Sequence, residues 1–112
     1  MTFESHGVMR IFRARPKPGD EDAFALLLAT ESVALVRDRP GCQGWFAAGP
    51  ADGEYLFVTL WCDELAVRTF AGERWQESVL PAGYSDLLES HSVQHVSVFS
   101  SSVFDFGGGL SD

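Results

Sequence analysis

The 112-residue chain is predicted to be one α+β domain, a ferredoxin-like βαββαβ fold built on an antiparallel sheet. Three observations predict it. From Arg10 to Trp61 the order is strand, helix, strand, strand. The turn Arg15-Pro16-Lys17-Pro18-Gly19-Asp20 ends the first strand, because its prolines cannot continue a hydrogen-bond ladder. The remainder supplies the second half, a helix and a last apolar strand.

The first strand is expected over Val8 to Arg15, with Val8, Arg10, Phe12 and Ala14 on one face and Met9, Ile11, Arg13 and Arg15 on the other. Gly19-Asp20-Glu21-Asp22 opens a helix with carboxylates at its positive end. That helix reaches Arg37, with Ala23, Phe24, Leu27, Leu28, Ala34 and Leu35 as an apolar stripe. Arg37-Asp38-Arg39-Pro40-Gly41 ends it. Gln43 to Ala48 and Glu54 to Trp61 form strands two and three around a hairpin loop, Gly49 to Gly53. The third strand, Tyr55-Leu56-Phe57-Val58-Thr59-Leu60-Trp61, is apolar on both faces, the pattern of a strand buried on both sides. One monomer's helices cover one face, so a second subunit's sheet is expected on the other.

A second helix starts at Cys62 or Asp63 and reaches Ala71, with Leu65, Ala66 and Phe70 inward. Gly72 breaks it, and Glu73 to Leu80 reads as a helical turn pairing Trp75 with Val79. A loop through Tyr84 leads to the last strand, Ser92 to Phe99. The domain is thus placed at 1–99. Residues 100–112 form a Ser/Gly-rich tail, expected to be disordered unless Val103, Phe104 and Phe106 dock on a neighbour.

Composition narrows the function. Apolar residues make up 46%, with nine Phe and three Trp, which excludes global disorder. Sixteen acidic residues against eight basic give a net charge of −8, which argues against a nucleic-acid partner. The first ten residues carry no secretory pattern, and the longest apolar run, Ala23 to Ala29, is too short for a membrane span. Cys42 and Cys62, outside any CxxC pattern, read as reduced thiols of a cytoplasmic protein. No phosphate-binding Gly-rich loop or GxSxG motif is present, and the His residues lack metal-ligand spacing.

Three landmarks in order carry a resemblance. They are Lys17-Pro18-Gly19 with an acidic helix start and Phe24, Arg39-Pro40-Gly41-Cys42-Gln43-Gly44 before strand two, and Leu60-Trp61-Cys62-Asp63-Glu64-Leu65-Ala66. The chain resembles the antibiotic biosynthesis monooxygenase family of dimeric α/β barrels from about Val8 to Phe99. The resemblance implies a homodimer packed sheet to sheet, with a pocket between each sheet and its helices. Members include cofactor-independent oxygenases of phenols and quinols, haem-degrading enzymes and a signal-molecule isomerase. The haem-degrading pattern of Asn, Trp and a ligating His falls here on Phe12, Phe70 and Leu80, so haem degradation is not expected.

Cofactor-free oxygenation needs a desolvated ring, a stabilised anion and a proton acceptor. Trp61 is a candidate pocket wall for a small aromatic molecule, though a Trp at a strand end is more often packing. Phe12, Phe70 and Trp75 read as core or pocket wall rather than reactive groups. Arg10 shares the pocket-facing side of Phe12, and if buried it needs an anionic partner, either a phenolate or an acidic side chain. His95, inside the last strand with Val93, Ser97 and Phe99, is a candidate proton acceptor or a hydrogen-bonded interface residue. His91 is expected to be exposed and His6 to lie in the terminal segment; Tyr84 hangs over the pocket or caps the core. Two functions follow: a cofactor-independent monooxygenase of a phenolic or quinol-like molecule, or a non-catalytic dimeric binding or accessory protein.

Overall fold

The computed structural model describes residues 7–100. His6 and the docking residues assigned to the tail, Val103, Phe104 and Phe106, lie outside the described residues. Strands β1 (Gly7–Pro16), β2 (Cys42–Ala51), β3 (Glu54–Trp61) and β4 (Leu88–Val98) form one antiparallel sheet in the order β2-β3-β1-β4. This is the ferredoxin-like order, with β1 and β3 central. Between β1 and β2 run α1 (Glu21–Leu27), a π-helical turn (Leu28–Ser32) and α2 (Val33–Val36). Helices α3 (Glu64–Ala71) and α4 (Tyr84–Leu87) lie between β3 and β4. Among the described residues no helix is long and apolar enough to cross a membrane.

Strand alternation sorts the side chains as the sequence pattern requires. Val8, Phe12 and Ala14 of β1 and Tyr55, Phe57 and Trp61 of β3 join one core with Phe24, Leu28, Val36 and Val67. Ile11, Leu56, Val58 and Phe46 lie on the opposite face, where Ile11 and Phe46 flank Val58 in register. On that face Leu60 is buried, outside the core cluster beneath the helices, whereas Phe46 is 54% exposed. Asp63 caps α3 by accepting from the Ala66 amide at 2.8 Å, satisfying one of its open amides.

Five expectations need correction. In the first helix the buried positions are Phe24, Leu28, Ser32 and Val36, whereas Ala23 and Ala34 are exposed. A four-residue recurrence exceeds the 3.6-residue period of an α-helix, and the wider π turn absorbs the difference. In α3, Leu65 is exposed and Val67 takes the inward position. The hairpin loop shrinks to Asp52-Gly53, because β2 continues to Ala51 and pairs it with Glu54. No helix forms over Glu73 to Leu80. Two of its carbonyls, those of Trp75 and Glu77, accept instead from Arg10, and Pro81 has no amide hydrogen to give. Finally, Tyr84 lies in a helical turn rather than a loop, and β4 begins at Leu88 rather than near Ser92. Glu89 to Ser92 are exposed on an edge strand, so they carry no apolar alternation to read.

Candidate active site

Sheet, helices and Val79 border a partly open cavity of about 40 Å³. Its apolar wall is Phe12, Leu35, Val36, Phe57, Phe70 and Val79. Its polar lining is Arg10, Ser32, Thr59 and Tyr84. β1 supplies Arg10 and Phe12, which as alternate residues point the same way. β3 supplies Phe57 and Thr59 opposite them in register.

Arg10 is 5% exposed and forms no ion pair with a described residue. One guanidinium nitrogen, Nη1, donates to the Trp75 carbonyl at 2.5 Å and contacts His95 Nε2 at 2.8 Å. The other, Nη2, donates to the Glu77 carbonyl at 2.9 Å. The Glu77 carboxylate is engaged elsewhere, accepting twice from Arg74 at 2.6 and 2.7 Å. Burial pulls the Arg10 pKa down to about 10. Its guanidinium carbon also lies 5.9 Å from the Phe70 ring centroid. The two partners weighed for Arg10, a carboxylate or a ligand anion, are thus joined by a third, a pair of backbone carbonyls.

Tyr84 is 1% exposed, and its hydroxyl is committed. It donates to the Leu27 carbonyl at 2.8 Å, so at 2.7 Å from Ser32 Oγ it accepts. The π turn brings Ser32 inward to meet it. Burial, the largest influence, raises the Tyr84 pKa.

Of the seven residues singled out in the sequence, Arg10, Phe12, Phe70 and Tyr84 meet at the cavity. Trp61 stands one layer behind it, fully buried, stacked on Phe70 at 5.0 Å and donating through Nε1 to Thr59 Oγ1 at 2.8 Å. Trp75 and His95 do not line it. They face each other at 4.9 Å and border an adjacent open cleft of about 410 Å³. His91 is exposed, as expected, with Nδ1 3.0 Å from Ser78 Oγ. Thr59 and Phe57 were readable from alternation with Trp61. Ser32 was not, because its burial depends on the π turn. Among the described residues no three His, Cys, Asp or Glu side chains could hold a metal ion, and both cysteines are free thiols.

Comparison with known proteins now adds the lineage. The family model described as antibiotic biosynthesis monooxygenase matches residues 7–77, which takes in Arg10, Phe12, Trp61, Phe70 and Trp75 but stops short of Tyr84 and His95. No curated protein sequence matches significantly. Solved structures share the fold. A protein of unknown function from Nitrosomonas europaea superposes with a TM-score of 0.70 at 23% identity, over 85% of this chain and 91% of its own. SnoaB, a cofactor-independent oxygenase from Streptomyces nogalater solved as a point mutant, gives 0.65 at 15% identity, over 87% and 97%. A heme-degrading protein from Mycobacterium tuberculosis gives 0.63 at 20% identity, over 85% and 93%. With the family model spanning the chain from β1 past α3, this protein belongs to the antibiotic biosynthesis monooxygenase family.

Proposed function

We propose that the protein is a cofactor-independent monooxygenase of a phenolic or quinol-like small molecule, acting as a homodimer. The observation that carries this reading is Arg10, a buried cation without a carboxylate partner among the described residues, in the wall of an otherwise largely apolar cavity. A phenol ordinarily ionises near pH 10, and a nearby positive charge lowers that by roughly 1–3 units. Arg10 would therefore hold the substrate as its phenolate near neutral pH. The electron-rich ring then adds dioxygen at carbon. Loss of water from the hydroperoxide leaves a quinone, with one oxygen atom retained and both electrons drawn from the substrate.

In this reading Phe12 and Phe70 sandwich the ring, with Trp61 behind Phe70, and Trp75 roofs the way in. Arg10 touches the substrate oxygen. His95 acts at one remove by fixing Arg10, and it becomes a proton acceptor only if Nε2 leaves that contact. Tyr84, its hydroxyl already donating, shapes the far wall.

An oxygen electrode with a panel of phenols and quinols tests the proposal. Uptake matched mole for mole by substrate loss is expected, with kcat/KM falling roughly 10–10³-fold in Arg10→Gln. Silence across the panel would refute it. The committed hydroxyl of Tyr84 and the engaged Nε2 of His95 favour a second reading, a binding or accessory protein. Ligand binding with no oxygen consumed would select that reading.

A further inference from the structure

We propose that segment 72–83 is a strap latched by Arg10, and that the pocket selects organic monoanions because only an anion can replace the latch. Gly72 and Gly83 bound the segment with φ of 84° and 91°, a backbone region that side-chain-bearing residues avoid. Between them runs no helix or strand. Val79 forms part of the cavity wall, and the carbonyls of Trp75 and Glu77 sit on the Arg10 guanidinium. A second fastening joins Ser78 Oγ to His91.

The size of the cavity forces the issue. About 40 Å³ holds a few waters at most. Seating an aromatic ring therefore needs part of the wall to give. In this proposal it is the strap, through Val79, that moves outward and separates Trp75 and Glu77 from Arg10. A buried guanidinium left with His95 Nε2 in place of three acceptors is strongly unfavourable. A neutral ligand offers at best one weak replacement, whereas a carboxylate or phenolate brings charge and two-point acceptance to a side chain with five N–H groups. Two of those five have no partner among the described residues in the closed arrangement, since the Trp75, His95 and Glu77 contacts occupy three. Admission and recognition of the anion are thus one event, and Arg10 is the specificity determinant for both.

The proposal rests on the pocket assignment above but not on oxygen chemistry, so its test reads binding alone. Benzoate and its neutral near-isostere benzamide are titrated against the full chain by calorimetry, with amide hydrogen exchange followed over residues 72–83. Benzoate is expected to bind at least roughly tenfold more tightly than benzamide, and saturation with it to speed exchange in the strap. Arg10→Gln should bind the two probes alike, and its strap should exchange fast without ligand. If that variant does not fold, Arg10→Lys keeps the charge but not the fork. It should retain part of the anion preference while its strap is already fast. Equal binding of the two probes by the wild type, no benzoate binding in the millimolar range, or an unchanged strap at saturation would each overturn the proposal. Oxygen uptake from neutral phenols alongside equal binding would leave the oxygenase reading standing.

Discussion

Arg10 and His95 stand directly opposite each other across β1 and β4, with Arg10 Nη1 2.8 Å from His95 Nε2. A guanidinium can only donate, so His95 must accept at Nε2 and carry its own proton on Nδ1. The imidazole is therefore held neutral with its basic nitrogen in use. Burial first, and the Arg10 charge second, lower its pKa below the ordinary value, and Glu64 opposes this only in part. The groups around it are Arg10 from β1, Trp75 from the strap and Glu64 from α3.

Acid should accordingly weaken the fold through His95. Because the folded pKa lies below the unfolded value of about 6.5, the unfolded chain binds the proton first as pH falls. The contribution of His95 is complete above that value and declines as pH drops below it. His95→Gln keeps a carbonyl acceptor for Arg10 but does not titrate. The wild type's thermal midpoint, measured relative to this variant, should fall between pH 8 and pH 5. A gap that stays constant with pH would show that His95 is not held neutral.

Tyr84→Phe removes one hydroxyl and disturbs two bonds, to Leu27 and Ser32. A net loss of about 1–3 kcal/mol is expected in denaturant unfolding, since Ser32 and the carbonyl are left without a buried partner. Ser32→Ala together with Tyr84→Phe should cost less than the two single changes added, because one shared contact is counted twice. Strict additivity would mean that the two hydroxyls do not interact in solution.

Haem turnover is not expected. Phe12 and Phe70 are cavity wall and Leu80 packs against the core, and none of them can ligate iron. Haemin titrated with a reductant present should give no ring-opened product. Stoichiometric binding followed by such a product would show that the transfer of positions from the haem-degrading pattern was mistaken.

Strand alternation put Arg10 and Phe12 on one face of β1, the family resemblance turned that face to the pocket, and the turn signals around Lys17 and Arg39 located the elements that carry them. What escaped was whatever depends on a departure from regular geometry. Ser32 reaches Tyr84 only because a π turn shifts the helix phase. The strap looked helical by its Trp75–Val79 spacing, yet Arg10, 65 residues from Trp75 in sequence, claims the carbonyls a helix would use. Local periodicity cannot report a competitor that distant. The register that sets His95 against Arg10 likewise needs β4's pairing with β1, which no local pattern in either strand contains.

The bare sheet face leads to the last prediction. Phe46 is 54% and Val96 41% exposed, and neither belongs to the core beneath the helices. With Ile11, Leu56 and Val58 beside them, they make an apolar surface of the kind that marks an interaction site. A second copy covers it if two sheets pack face to face, and two-fold symmetry then places each Phe46 in the interface twice over. Sedimentation equilibrium at micromolar concentration should give about twice the 12.3 kDa chain mass. Phe46→Glu withdraws roughly 1.5–3 kcal/mol of side-chain burial per copy and introduces a charge, so dissociation should strengthen by at least roughly a hundredfold. Far-UV circular dichroism should stay unchanged, since Phe46 holds nothing in the monomer's core. A wild type that stays monomeric would refute the dimeric barrel, and a Phe46→Glu variant that stays dimeric would place the interface elsewhere.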